Sequence, residues 1–331
     1  MTFILLPAAK QCGRCPRTIH MSRYGTPTPA SARPRRVDDL IDSRLMTRLD
    51  QLDVISRKIF AGKIQGERRS KRKGVSVEFA DYRHYTHGDD LRFVDWNIYA
   101  RLDRLFLKIF LEEEDLSLIL VMDASSSMDW GDPNKFIFCQ RLAMALGYIG
   151  LSNQNRVTIC SFADGELKRL PSLRGRRRVK EMGTWILDQQ PGGPSRFNDA
   201  MRSLALSRQG KGVMVIMSDF LFKEGYDKGL RYLSGGGFDT FLLQTLSPEE
   251  IDPGKHGLAG DLRLTDIEDE DVAEVTISAP LLKRYKENLD AYCGTLREFA
   301  VRRNIMHLTI DTSMDMDTLL LDYLRRRGML R

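Results

Sequence analysis

The stretch Leu116-Ser-Leu-Ile-Leu-Val-Met-Asp-Ala-Ser-Ser-Ser127 decides the fold of this chain. Its first seven residues are almost all aliphatic and end at polar residues, which is typical of a buried central strand in a parallel sheet. Ligands of such sheets bind where the strands end. Asp123, Ser125 and Ser127 follow the strand and offer one carboxylate and two hydroxyls, two residues apart. We therefore expect half of a magnesium site at this point of the fold.

The sequence after Asp123 alternates between short apolar strands and helical segments. This pattern predicts an α/β fold with a doubly wound, mostly parallel sheet. Asp132 and Pro133 are expected to begin the first of the helices, because Asp can cap a helix and Pro is tolerated in its first turn. The predicted strands are 157–162, 213–217, 240–246 and 305–310, and the predicted helices are 136–151, 177–189, 195–206, 279–304 and 316–326.

The first 60 residues differ from this pattern. Residues 1–36 are rich in proline and contain no acidic residue, which predicts a disordered basic tail, and Met21 offers an alternative start. Residues 37–60 carry apolar side chains at helical spacing and predict one capped amphipathic helix. Cys12 and Cys15 have the spacing of half a zinc site, but no second Cys/His pair lies nearby, so we expect no zinc there.

Composition excludes several classes of protein. The chain has 331 residues, 42% of them hydrophobic, and its apolar runs are too short to cross a bilayer. Five irregularly spaced cysteines favour a reducing, cytoplasmic location. The formal charge is +6, but residues 1–36 carry seven basic residues, so the remainder sums to −1. Nucleic-acid binding is therefore not expected to be the main function of the globular part.

Two further places are expected to complete the metal site. The strand 213–217 ends in Ser218-Asp219, and Asp219 should emerge at the same edge of the sheet as Asp123. Gly192-Gly193-Pro194-Ser195 precedes a helix and could bring the Ser195 hydroxyl there. The predicted ligands are all hard oxygen donors suited to Mg²⁺ or Mn²⁺: Asp123, Ser125, Ser127, Ser195 and Asp219.

Other interpretations of the same residues remain open. Asp123 and Asp219 could cap the helices that follow them, and the serines could satisfy backbone groups of loops. A metal-dependent hydrolase or phosphoesterase could use the same carboxylates, although no general base is evident in the sequence. A nucleic-acid binder could use the tail and the basic residues of segment 63–73. We expect no enzymatic activity.

The order of the site residues resembles the metal-ion-dependent adhesion site of von Willebrand factor A domains. In that family an Asp-x-Ser-x-Ser sequence, a loop hydroxyl and a distal Asp surround a magnesium ion. Here the loop residue is Ser195 instead of Thr, and Pro194 precedes it. The resemblance implies a Rossmann-type, von Willebrand A-like fold that binds an acidic residue of a partner protein through the ion.

The preceding segment contains Gly88-Asp89-Asp90, Arg92, Asp95-Trp96 and Ala100-Arg101, together with Glu78-Phe79 and Arg83-His84-Tyr85. These residues are similar to the signature of the domain of unknown function 58 family, which carries such a domain. The similarity covers about residues 60–325. Together with the patterns above, it predicts a tail at 1–36, an N-terminal helix and the signature segment, which adds a β segment, at 37–115, a von Willebrand A-like domain with the metal site at 116–312 and a C-terminal helix at 313–331. It also implies a partnership with a MoxR-type AAA ATPase in the assembly or maturation of a protein complex.

Opposite charges crowd among aromatic residues in this signature segment. The residues concerned are Arg83, Asp89, Asp90, Arg92, Asp95, Trp96 and Arg101. Ion pairs covered by rings would fix one loop geometry. The alternative is a surface that faces a partner, because Trp, Tyr and Arg are enriched at the energetic centres of interfaces.

Overall fold

A computed structural model describes residues 3–5, 17–21, 33–56, 79–110, 116–207, 211–234, 237–255, 260–265 and 272–331. The chain divides into two compact units, one formed by residues 1–60 and 116–331 and the other by residues 61–115. The strands, in chain order, are β1 (Phe3–Leu5), β2 (Arg17–Met21), β3 (Phe79–His84), β4 (Phe106–Phe110), β5 (Ser117–Asp123), β6 (Arg156–Ala163), β7 (Glu166–Leu173), β8 (Gly212–Ser218), β9 (Phe238–Leu246), β10 (Gly260–Thr265), β11 (Val272–Ile277) and β12 (Met306–Asp311).

The larger unit is built on a six-stranded sheet with the order β12-β9-β8-β5-β6-β7. All neighbouring pairs are parallel except β6 and β7, which form an antiparallel hairpin at one edge. β5 lies between β6 and β8, and its residues after Ser117 are all buried. This confirms the predicted α/β architecture with a mostly parallel, Rossmann-like sheet.

Helices cover both faces of this sheet. They are α1 (Val37–Leu40), α2 (Ser43–Leu49), α4 (Lys135–Ser152), α5 (Val179–Asp188), α6 (Phe197–Leu206), α7 (Asp227–Leu233), α8 (Pro248–Ile251), α9 (Ala279–Val301), α10 (Met316–Thr318) and α11 (Leu324–Arg326), with α3 (Trp96–Leu102) in the smaller unit. In the described ranges, no helix combines the length and the apolar character needed to cross a membrane.

Alternation along β5 explains why both faces are covered. Leu118, Leu120 and Met122 belong to the apolar core that contains α4 and α5, whereas Ile119 and Val121 belong to the core that contains α6 and α7. Successive side chains of a strand point to opposite faces, so an uninterrupted aliphatic strand needs a helical layer on each side.

The structure departs from the sequence predictions near the N-terminus. Two short helices, α1 and α2, replace the single helix predicted from Val37, because Ile41 is extended and Asp42 caps α2 by accepting a hydrogen bond from Leu45 N at 2.6 Å. The last residues of that predicted helix, 57–60, lie outside the described residues. In the predicted disordered tail, β1 and β2 pair with each other, and β2 pairs with β10, so main-chain hydrogen bonds order short pieces of it.

Elements elsewhere agree with the predictions more closely. The first helix after Asp123 is capped by Asn134, whose side chain accepts from Ile137 N at 3.1 Å, and not by Asp132. The sequence did not reveal β7, α7 or the hairpin of β10 and β11. Strand β7 lies at the edge of the sheet and is largely exposed, so its pattern lacks the aliphatic run that marks its neighbours.

The smaller unit consists of an antiparallel pair, β3 and β4, with α3 between them in the chain. A short 3-10 turn at Leu91–Phe93 precedes α3, and Val94 pairs with Leu107 of β4. The signature segment therefore folds back on itself as one local unit.

Candidate functional site

The site begins where two neighbouring strands end. β5 and β8 are parallel and in register, with Met122 opposite Met217. Asp123 is the last residue of β5, and Asp219 follows the last residue of β8. Both carboxylates therefore leave the sheet at the same edge, as the sequence predicted, and the pKa of Asp123 responds to the charge of Asp219.

A second loop is bound to the loop that follows β5. Gly192 N donates to Ala124 O at 2.8 Å, and Ser126 N donates to Gly193 O at 3.0 Å. Gly193 has a φ of +71°, a conformation that glycine adopts without steric cost. These backbone bonds bring Ser195 to the edge that carries Asp123.

The three serine hydroxyls of the predicted metal site are buried but poorly satisfied. Ser125 Oγ and Ser127 Oγ lie 3.1 Å apart and share one hydrogen bond. Ser195 Oγ is shielded from solvent and has no hydrogen-bond partner among the described residues. Burial of an unpartnered hydroxyl costs about 1–3 kcal/mol. Coordination of a metal ion by Ser195 Oγ would offset that cost.

Asp123 is fully buried, and the backbone and side chain of Ser125 and the hydroxyl of Ser218 donate hydrogen bonds to its carboxylate. Oδ1 accepts from Ser125 N at 2.9 Å, and Oδ2 accepts from Ser218 Oγ at 2.7 Å. Burial raises the pKa of Asp123 to about 7, and the neighbouring charge of Asp219 adds to that rise. No ion pair with Asp123 occurs in the described part of the chain, so a nearby positive charge would be strongly favourable.

Asp219 has a charged partner that the sequence did not reveal. Asp219 Oδ2 accepts from Lys135 Nζ at 2.8 Å, and the same ammonium donates to Glu250 Oε1 at 2.7 Å. Burial alone would lower the pKa of Lys135, but the charges of Asp219 and Glu250 raise it above its ordinary value. Burial raises the pKa of Glu250, and Lys135 opposes that rise.

Sequence reasoning missed Lys135 and Glu250 for different reasons. Glu250 belongs to a capping box, in which Ser247 N donates to Glu250 Oε2 at 3.0 Å, and the sequence Ser247-Pro-Glu-Glu signals it. Lys135 follows the cap of α4 and gives no sign of burial, because lysine at a helix start is ordinarily exposed.

The two aspartates do not cap the helices that follow them, so that interpretation is wrong. Asp219 Oδ1 accepts from Leu221 N at 3.0 Å, and Asp123 Oδ1 accepts from the amide two residues ahead. These are local turns, since a 3-10 turn at Ser126–Met128 begins after Ser125, and the α-helices that follow begin only at Lys135 and Asp227. The turns leave the remaining lone pairs of each carboxylate for another ligand.

Gln244 connects the site to the edge strand β12. Gln244 Nε2 donates to Asp219 O at 3.0 Å, and Gln244 Oε1 lies 3.0 Å from Nε2 of His307. Burial lowers the pKa of His307 to about 4, with a further contribution from Arg297. His307 is therefore a neutral core residue near physiological pH.

The donor set decides which ion the site could hold. Within the described ranges, no three His, Cys, Asp or Glu side chains are grouped so that they could bind a metal by themselves. A site here must combine Asp123 and Asp219 with hydroxyls. Such a mixture of hard oxygens fits Mg²⁺ or Mn²⁺ with water filling further positions, and the unpartnered Ser195 hydroxyl supports that fit.

Ion pairs do fix the signature segment in the smaller unit. Arg83 pairs with Asp89 at 2.7 Å, and Arg92 forms a forked pair with Asp90. Hydrogen bonds from Thr86 and then from Arg83 hold the pKa of Asp89 at about 2. These contacts agree with a structural role for four of the predicted network residues.

Asp95 is the buried centre of this network. It caps α3 by accepting from Asn97 N at 2.9 Å and Ile98 N at 3.2 Å, and it also contacts Tyr82 OH and Lys108 Nζ, each at 3.1 Å. Loss of Asp95 would therefore release the start of α3 and the pairing with β4.

Trp96 does not cover these ion pairs, contrary to the prediction that rings shield them. It is 57% exposed and meets only Tyr99 edge-on among the described rings. Arg101 is also exposed and has no ion pair with any described residue. Six of the nine large hydrophobic residues exposed in the described chain lie here: Tyr82, Leu91, Phe93, Trp96, Tyr99 and Leu102. The partner-facing alternative therefore stays open.

Comparison with protein families matches one family model over more than half of the chain. The family model described as "Protein of unknown function DUF58" matches residues 81–293. An uncharacterized protein of Mycobacterium bovis and the uncharacterized protein Rv1480 of Mycobacterium tuberculosis are each 25% identical over 248 residues, which cover 73% of this chain and 77% of each relative.

Similarity to solved structures is weaker. The pilus adhesin SpaC of Lactobacillus rhamnosus GG, in its open conformation, aligns with a TM-score of 0.40 and 10% identity. The match covers 66% of this chain and 30% of the adhesin chain. At this level the likeness supports no conclusion about either fold or function.

Proposed function

We propose that this chain, which belongs to the DUF58 family, is a non-enzymatic protein-binding module. In this proposal Asp123, Ser125, Ser127, Ser195 and Asp219 form a metal-ion-dependent adhesion site of the von Willebrand A type. The chemistry supplied by Mg²⁺ or Mn²⁺ is an open coordination position for a carboxylate oxygen of a partner protein.

The observation that carries the proposal is the buried, unpartnered hydroxyl of Ser195. It lies on a loop that two backbone hydrogen bonds attach to the loop of Ser125 and Ser127. Three buried hydroxyls and two carboxylates at one edge of a parallel sheet leave more oxygen acceptors than the described donors satisfy. A divalent cation would satisfy the surplus acceptors.

The buried charges support a divalent ion in particular. Asp123, Asp219 and Glu250 supply three carboxylates, and Lys135 is the only lysine or arginine with a buried side chain in the described part of the chain. With all four groups ionised, the cluster carries a net charge of −2. One divalent cation would neutralise it, and buried charges are tolerated when they are neutralised and hydrogen-bonded.

The exposure of the five residues indicates the side from which a partner would approach. Asp123 and Ser125 are completely buried, whereas Ser127 and Ser195 each retain 6% of their accessible surface. Because Ser195 Oγ is itself shielded from solvent, we infer that Ser127 borders the open coordination position. Asp123 and Asp219 then neutralise the positive charge of the ion from the buried side of the site.

The site lacks groups that would favour catalysis. The ammonium of Lys135 is held by two carboxylates and is not free to act as a base. Burial raises the pKa of Cys139 to about 12, so its thiol is not a ready nucleophile. These features favour recognition over hydrolysis, and the family resemblance leads us to propose a MoxR-type AAA ATPase and its client complex as partners.

The proposal is tested by capture of partners on immobilised protein, in Mg²⁺ and in EDTA. We expect a partner to be retained by the wild type in Mg²⁺ and lost with EDTA, Asp123→Asn or Ser195→Ala. Asp164→Asn is the matched control, because that carboxylate is exposed, and Asp164 N donates to Pro194 O of the same loop at 2.7 Å. Mass spectrometry identifies the captured protein.

A second step links capture to the mechanism. The captured protein is purified, its surface Asp and Glu residues are replaced in turn, and binding is measured in Mg²⁺. One acidic residue should account for most of the metal-dependent affinity. Equal capture in Mg²⁺ and EDTA, or by wild type and Asp123→Asn, would refute recognition through the ion.

A further inference from the structure

Lys135 is placed where it competes with any cation at the site. Its side chain has no exposed surface, and its ammonium contacts Asp219, one of the two carboxylates in the predicted metal site. Lys135 therefore places a permanent positive charge beside the position at which a metal cation is expected to bind.

The surrounding contacts hold Lys135 in this position. It is the first residue of α4, directly after the cap residue Asn134. Its second partner, Glu250, lies on α8 within a capping box, and Tyr285 OH donates to the Glu250 carbonyl at 2.8 Å. These contacts hold the Lys135 ammonium against Asp219.

The contacts of Asp219 indicate how Lys135 would affect the affinity of the site for a metal ion. One oxygen of Asp219 accepts from Lys135 and the other from Leu221 N, so the negative charge available to a metal is reduced. Like charges repel strongly in a buried site of low dielectric constant. Glu250 acts in the opposite direction, because it neutralises part of the ammonium's charge.

We infer that Lys135 is an internal counter-ion that weakens metal binding and leaves the bound ion electron-poor, which favours a carboxylate from a partner. The inference rests on the proposed function and concerns the regulation of the same site. It assigns Lys135 and Glu250 opposing effects on metal affinity, which a purely structural ion pair would not produce.

The test is a titration of the full chain with Mn²⁺ alone, followed by electron paramagnetic resonance of the free ion. We expect Lys135→Met to bind Mn²⁺ at least roughly tenfold more tightly and Glu250→Gln to bind it at least roughly threefold more weakly than the wild type. The double variant should fall between them, close to the wild type. Circular dichroism confirms that each variant is folded, and Asp123→Asn identifies the site.

The outcomes separate this inference from the proposed function. If the wild type binds Mn²⁺ and either Lys135→Met binds it no more tightly or Glu250→Gln binds it no more weakly, the counter-ion role is refuted and the metal site stands. If no variant binds Mn²⁺, both are refuted. Should Lys135→Met fail to fold, Glu250→Gln decides alone, and unchanged or tighter binding overturns the inference.

Discussion

Replacing Asp123 by Asn removes one buried negative charge while preserving the shape of the side chain. The amide oxygen of Asn can still accept from Ser125 N. Its NH₂ group can donate to the Ser218 hydroxyl, which already accepts from Phe220 N at 2.9 Å and has a second lone pair. The substitution therefore changes the charge with little change in packing.

The expected gain in stability follows from the pKa of Asp123. Burial, with the charge of Asp219, raises this pKa from 3.8 to about 7. At 1.36 kcal/mol per pKa unit, ionised Asp123 costs the metal-free fold about 4 kcal/mol, and rearrangement at Ser218 returns up to ~1 kcal/mol. We expect Asp123→Asn to be about 2–4 kcal/mol more stable than the wild type at pH 8 in EDTA.

The pH dependence has a definite sign. Because the pKa of Asp123 is higher in the folded state than in the unfolded state, the folded protein binds more protons between pH 4 and 7. The free energy of unfolding of the wild type therefore falls as the pH rises through that range and Asp123 ionises, whereas that of Asp123→Asn does not. The difference between them should grow by about 2–3 kcal/mol from pH 5 to pH 8.

The assay is urea unfolding of both proteins in EDTA at pH 5 and pH 8, repeated with Mg²⁺. Asp164→Asn serves as a control for removal of an exposed carboxylate, and we expect no such pH trend from it. Mg²⁺ at ten times its dissociation constant should stabilise the wild type by about 1.4 kcal/mol and leave Asp123→Asn unchanged. A variant less stable than the wild type at pH 8 in EDTA would refute the reasoning.

Three further predictions concern other parts of the larger unit. Ser195→Ala removes an unpartnered buried hydroxyl, so it should not lower the free energy of unfolding in EDTA but should abolish stabilisation by Mg²⁺, as measured by thermal denaturation. The fold lowers the pKa of His307 to about 4, so neutral His307 contributes fully to the free energy of unfolding above pH 6.5, and this contribution declines as the pH falls toward 4. Urea unfolding should show that His307→Gln weakens this decline. Gly212→Ala would place Cβ 1.8 Å from Ser117 O of the neighbouring strand and should destabilise the fold by about 3 kcal/mol or more, whereas Gly294→Ala has free space within α9 and should stabilise it by about 0.5–1 kcal/mol in the same assay.

The sequence predicted the sheet because its central strands are uninterrupted aliphatic runs. Burial on both faces requires such a run, so β5 and β8 could be recognised from composition alone. Parallel strands end at one edge, so the positions of Asp123 and Asp219 directly after two such runs were enough to place them together. The edge strand β7 needs no such run, and its exposed pattern therefore gave no strand signal.

The local turns and the division of the N-terminal helix depended on particular contacts. Asp42 ends the predicted single helix by capping a second one, although the apolar spacing continues past it. Periodicity reports which residues face the core, but a short polar side chain that satisfies backbone amides decides where each helix begins.

Only the tertiary structure revealed the charge that shares the site with Asp219. Lys135 is separated by 84 residues from Asp219 and by 115 residues from Glu250, and no pattern in the sequence connects them. The sequence by itself determined the buried strands and the oxygen donors at their ends. Aliphatic residue types indicate which strands are buried, and the spacing of polar residues after each strand places the donors. The ion pair was decided by folding, since only the packing of α4 and α8 against the sheet excludes water and forces these distant charges to neutralise one another.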